Sequence, residues 1–103
     1  MLSAYSFLAD IKGDTYYGPG MWERGVDILV RLCAALERER PVDAAGVYAL
    51  THAATEEFNA MLDDGFDLET VARESIAADV KAILAAYGHD ALDLEEAIAP
   101  RDW

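Results

Sequence analysis

Tyr48, His52, Thr55, Glu56 and Asn59 are the residues whose types and spacing could do chemistry together. Across segment 47–59, a helical step of about 100° per residue gathers them on one arc. Val47, Leu50, Ala54 and Phe58 share a separate, apolar arc. His52 and Glu56 are four residues apart and hence neighbours on a helix surface. A histidine beside a carboxylate is the equipment of a general base, and the same pair could give two ligands to a metal ion. Neither use is complete. A zinc or di-iron centre takes about three or four protein ligands. The other histidine, His89, falls in an expected loop, and neither a His-Glu-x-x-His nor a Glu-x-x-His pattern occurs. The pair is therefore expected to be a surface ion pair, with no metal and no cofactor.

Asp79 is the second candidate. On a helical wheel it falls inside an apolar arc, among Ala72, Ile76, Ile83 and Ala86, with Ser75 on the arc's edge. A carboxylate held there must be paired or protonated, because an unpaired buried charge costs several kcal/mol. The plain expectation is a structural hydrogen bond to another helix, a terminus or a tyrosine. The functional alternative is a ligand site, since perturbed carboxylates gather at such sites.

Other reactive types read as structure. Cys33 lies in the middle of an apolar helical stripe, where a thiol behaves as a small hydrophobe. Gly18-Pro19-Gly20 has no Gly-Lys-Ser/Thr ending and follows no strand, so it is a turn before Trp22 rather than a phosphate loop. Tyr16, Tyr17, Met21 and Trp22 form a concentrated patch expected to roof the core. Glu69 and Arg73 have the spacing of a helical ion pair. Glu37-Arg38-Glu39-Arg40 is expected to be a solvated last turn.

Helices must position these side chains. Asp43, Asp67 and Asp93 each suit an N-cap, and Val42, Phe66 and Leu92 before them could staple onto Val47, Val71 and Ala97. Asp93 also has Glu96 at the capping-box distance. Pro41, Asp63-Asp64-Gly65 and Gly88 supply stops. Helices are predicted at 21–39, 43–63, 67–87 and 93–99, with a weaker one near 3–10. Trp22, Val26, Leu29, Cys33 and Leu36, widened by Ile28 and Leu32, make one core stripe; Leu68, Ala72, Ile76, Val80, Ile83 and Tyr87 make another. Short links favour antiparallel neighbours, and no alternating strand pattern of any length appears. The expected fold is all-α: a compact bundle of four to five helices, three long and antiparallel with short terminal ones, in a single domain over 1–103.

The composition narrows the partners. At 103 residues and 53% hydrophobic, the chain has enough apolar material for one core. Its 20 acidic against 8 basic side chains give a formal charge of -12, which repels nucleic acid and anionic lipid. The acidity fits a cationic partner, high solubility or a salty habitat alike. The single cysteine permits no internal disulfide and points to a reducing cytoplasm. The apolar run from Ala4 to Ala9 lacks the basic flank of a signal peptide, and no stretch approaches the ~18 residues of a membrane span. A soluble cytoplasmic protein is expected.

The run from Tyr48 through Tyr-Ala-Leu-Thr-His to Asn59, then Ala72-Arg-Glu-Ser-Ile-Ala-Ala-Asp79, Tyr87-Gly88 and the closing Arg101-Asp102-Trp103, resembles a family of small bacterial proteins filed as a domain of unknown function. The likeness runs from about Trp22 onward. It implies a stand-alone cytoplasmic bacterial protein, and it brings no reaction, ligand or catalytic residue with it. The family's apolar residue in place of His89 makes that histidine a poor candidate for shared chemistry. Trp103 is expected to pack back on the bundle, holding Arg101 and Asp102 near Glu56 or Arg73.

A complete core and complete caps beside incomplete reactive sets favour a binding or interaction module over an enzyme, its partner another protein or a second copy in a homodimer. The first alternative is a small-ligand pocket or enzyme built on Tyr48, His52, Glu56, Asn59 and Asp79. The second is an acidic immunity-type protein that masks a basic partner.

Overall fold

The computed structural model describes residues 5–17 and 20–103, and in it Met21–Glu39, Ala44–Asp63, Thr70–Ala86 and Leu94–Ala97 form helices α1, α2, α3 and α4. A 3-10 turn, Thr15–Tyr17, precedes α1, and no strand occurs among the described residues. The all-α expectation holds, and the three long helices fall close to their predicted bounds. Gly18 and Pro19 of the expected turn lie outside the described residues, as do positions 3 and 4 of the weak N-terminal helix.

From residue 5 onward that weak helix is absent. Residues 7–13 instead fold as consecutive turns, in which Ile11 N–H donates to Leu8 O at 3.1 Å and Leu8 takes a left-handed φ of 53°. Phe7, Leu8 and Ile11 are all buried. The segment is therefore a core-filling strap, and its tertiary contacts override the helical propensity of Leu2 to Asp10.

Local chemistry sets the helix ends. Asp43 caps α2 by accepting from Gly46 N–H at 2.8 Å. Asp43→Ala should lower stability by about 1 kcal/mol, seen as a lower urea midpoint with an unchanged slope. One expected cap and one expected staple need correction. Asp67 does not cap α3: Glu69 does, its carboxylate accepting from Val71 and Ala72 N–H at 3.1 and 3.2 Å, so the helix begins at Thr70. The same carboxylate takes the Tyr17 hydroxyl, and these bonds, that of Tyr17 foremost, hold it below its ordinary pKa. Asp67 instead receives the Tyr16 hydroxyl at 2.7 Å. The staple at α2 is also missing, since Val42 is 99% exposed. At the far end of α3, Gly88 at φ 82° lets His89 N–H reach back to Leu84 O at 2.7 Å, a glycine C-cap as anticipated.

Ion pairs fix the direction of α2 against α1. Arg24 meets Asp64 at 2.7 Å and Arg31 meets Glu57 at 2.6 Å, so the start of one helix lies beside the end of the other. At α3 the pairing is start with start and end with end: Tyr17, just before α1, bonds Glu69, and Tyr87 bonds Glu37. The three helices thus run up, down and up around one core. Ile28, Leu29, Leu32 and Leu36 of α1, Val47, Phe58 and Met61 of α2, and Ile76, Val80 and Ile83 of α3 are all nearly or wholly buried. The core stripe of α1 is turned slightly from the predicted one. Met21, Ile28 and Leu32 reach its centre, while Trp22 and Val26 are only half-buried. The radius of gyration, 13.0 Å, matches a compact globule of this length.

Candidate functional site

The polar stripe of α2 is occupied by the chain's own C-terminal segment. Tyr48 Oη accepts from Asp93 N–H at 3.1 Å, filling the place that Glu96 would take in a capping box, while the Asp93 carboxylate accepts from Glu95 N–H. His52 Nε2 lies 2.7 Å from Glu96 O. A carbonyl oxygen only accepts, so this nitrogen carries the proton and donates. Asn59, 7% exposed, donates from Nδ2 to Pro100 O at 3.0 Å and to Glu56 at 2.8 Å, and accepts from Asp102 N–H at 2.8 Å. Thr55 bonds back to Thr51 O at 2.8 Å. Residues spaced along one helix face have become a row of clamps for an irregular strand of backbone that needs partners.

Two expectations at this end are modified. His52 and Glu56 do not pair with each other; each turns to another partner. Trp103 packs back as expected, its ring 6.0 Å from that of Phe58 in an edge-on arrangement, but Arg101 pairs with Glu95 at 3.2 Å rather than with Glu56. Arg73 likewise bonds Thr70 Oγ1 at 3.0 Å, and forms no ion pair with Glu69.

Asp79 belongs to a different part of the molecule. It is 5% exposed and accepts from Leu8 N–H at 2.6 Å and from the Tyr5 hydroxyl at 2.8 Å. Burial raises its pKa above the ordinary carboxylate value, the two hydrogen bonds oppose that rise, and Asp10 adds to it. The tyrosine partner is the one that the sequence suggested in kind. The strap it holds comes from 71 residues away in the chain. Tyr48, His52, Glu56 and Asn59 therefore gather around the C-terminal segment, Asp79 anchors the N-terminal one, and the five do not converge.

What Asp79 supports is a cleft of about 470 Å³ between the strap, α1 and the end of α3. The exposed face of α1 forms its floor through Trp22, Val26, Val30, Ala34 and Glu37. Tyr5, Phe7 and Lys12 wall one side, and Cys33 and Tyr87 line the far end. None of the five sequence candidates lines it. Its volume suits a small molecule, which pockets of about 300–1,000 Å³ accommodate. Lys12 Nζ lies 5.0 Å from the centre of the Trp22 ring, so the cleft's one cation is at the Trp22 end. Its one carboxylate, Glu37, is at the other end and takes the Tyr87 hydroxyl. Burial raises the Cys33 pKa, leaving a neutral thiol as part of the apolar lining.

Sequence reasoning missed this cleft, although a signal existed. Val30 breaks the polar side of α1 and stands 49% exposed, one turn from Val26 and Ala34. On the wheel, Trp22, Val26, Val30 and Ala34 extend the core stripe beyond what a single packing face needs. Only the strap, whose path no local rule predicts, turns that extension into a cleft.

Fold and cleft together define a small all-helical protein with a half-covered apolar groove. The chain belongs to a family of unknown function (DUF5713), which it matches over residues 1–103. No curated protein matches it. No solved structure does either. Among the described residues, no helix is long and apolar enough to cross a membrane.

Proposed function

We propose that this is a binding module which holds a small, mostly apolar ligand in the cleft along α1. The observation that carries the reading is the exposed apolar floor, Trp22 to Ala34, roofed on one side by a strap that Asp79 fastens down. A surface valine such as Val30, 49% exposed in a cleft that a tryptophan and a phenylalanine also line, gains from being covered. The anchored wall means that little ordering is needed when a ligand enters. The sole cysteine supports a place in a reducing cytoplasm, and the charge of -12 argues against nucleic acid as partner. The resemblance to small bacterial proteins supports a bacterial setting.

A neutral fluorescent probe, N-phenyl-naphthylamine, tests this directly. Saturable binding of one probe per chain is the expected result. Ala34→Trp, which fills the exposed floor without touching the core, should weaken it about tenfold or more while leaving the melting temperature unchanged. A probe that fails to saturate, or that binds the variant as well as the parent, removes the cleft from consideration.

A further inference from the structure

Lining residues on α1 run from Trp22 through Val26, Val30 and Ala34 to Glu37. At about 1.5 Å per residue, the floor between the first and last is roughly 22 Å long. Such a length suits an extended hydrocarbon chain, whose carbons pack about 4 Å from their neighbours. The polar groups are divided between the ends. Lys12 is at the Trp22 end, over the indole face and without a carboxylate within 4.0 Å among the described residues, in a chain where acids outnumber bases 20 to 8. Glu37 at the other end is engaged by Tyr87, so the groove finishes on a closed polar pair and an aromatic ring.

We infer that the occupant is a single unbranched acyl chain with a carboxylate head, the head at Lys12 and the chain lying along α1 toward Cys33 and Tyr87. This rests on the cleft being a ligand site and adds its chemical class. The length suits an extended chain. The lone ammonium at one end selects an anionic head. Exposed charges beyond about 8 Å are screened at physiological salt, which leaves Asp10, close enough to act on Tyr5 in the wall, as an acidic neighbour.

Calorimetric titration with monomeric dodecanoate, dodecanol and dodecylammonium, all below their micelle concentrations, reads chain and head separately. Dodecanoate is expected to bind one per chain, with affinity rising about two- to fourfold per methylene from octanoate upward. Lys12→Met keeps an apolar stem over Trp22; it should weaken dodecanoate about five- to tenfold and leave dodecanol within about twofold. Equal weakening of both ligands, or dodecylammonium binding more tightly than dodecanoate, would overturn the anionic head. If the neutral ring probe binds and no chain compound does, the chain geometry is wrong although the cleft survives. Failure of probe and chains alike removes the cleft itself. Uptake by phosphatidylcholine vesicles without binding of the monomers would likewise overturn the inference, pointing to a surface contact.

Discussion

Asp79→Ala is expected to cost about 2–4 kcal/mol of folding stability, a large share of the roughly 5–15 kcal/mol that a domain of this size has. The loss has a specific cause. Leu8 is fully buried, and its N–H would face the interior with no acceptor, while the Tyr5 hydroxyl loses its partner. Because the strap carries Phe7 and Tyr5 into the wall of the cleft, binding of the neutral probe should fall with stability, unlike in Lys12→Met. Asp79→Asn keeps one acceptor oxygen and should cost less than alanine. It also isolates the charge. The folded pKa of Asp79 is raised, so between its unfolded value near about 4 and that raised value the native state binds more protons than the unfolded one. Its contribution is therefore greatest at low pH and is lost as pH rises through the folded pKa. Urea midpoints at pH 7 and at pH 4, which spans the window from the unfolded value upward, should show the parent gaining on Asp79→Asn as the solution is acidified. A difference that is flat, or that runs the other way, would mean the carboxylate is not held in a desolvated site. The comparison with Asp79→Asn matters because Glu69 acts with the opposite sign. Its pKa is lowered, so its contribution is present at neutral pH and is lost on acidification.

Asn59→Asp is expected to be the most damaging isosteric change in the protein, costing about 3 kcal/mol or more at neutral pH. Asparagine here uses both halves of its amide. Its oxygen takes Asp102 N–H, and its nitrogen gives to Pro100 O and to Glu56. Aspartate keeps the acceptor but turns a second carboxylate oxygen toward a carbonyl and toward another carboxylate, in a site only 7% exposed. Asn59→Ala removes the bonds without adding repulsion and should cost about 1–3 kcal/mol. The ordering, aspartate worse than alanine, is the discriminating result. It should narrow at low pH as the new carboxyl protonates and regains a donor. Detachment of the segment would also expose Trp103, whose ring lies against Phe58, so tryptophan emission should shift to the red before global unfolding. Equal midpoints for the two variants would mean that this amide does not hold the C-terminal segment.

These effects explain why the polar stripe of α2 looked reactive. Catalytic sites and a docked segment of irregular backbone make the same demand on a helix face, a row of hydrogen-bonding side chains at helical spacing. Tyr48, His52 and Asn59 meet that demand for Asp93, Glu96, Pro100 and Asp102. Nothing within 47–59 distinguishes the two uses, because the partner lies about 40 residues further along the chain. Asp79 was legible to a greater degree. A carboxylate on an apolar arc must be buried and bonded, and a tyrosine does bond it, but the main-chain donor at Leu8 depends on a left-handed backbone turn that no side-chain pattern announces.

The sequence by itself determined the three long helices, because apolar periodicity, the stops at Pro41 and Gly88 and the cap at Asp43 act within a turn or two of the residues concerned. It determined equally that Asp79 would be bonded, since the penalty for an unpaired buried carboxylate holds wherever the partner comes from, and that Trp103 would be packed, since covering its large apolar ring is favourable on any face. Tertiary structure alone decided which segments cover which faces. Docking of residues 93–103 on α2 gave Tyr48, His52 and Asn59 main-chain partners, and the strap of residues 5–13 left the outer face of α1 half-roofed. Both outcomes rest on contacts between residues far apart in the chain, whose free energy depends on how whole elements meet. Local sequence specifies the elements and leaves that meeting open.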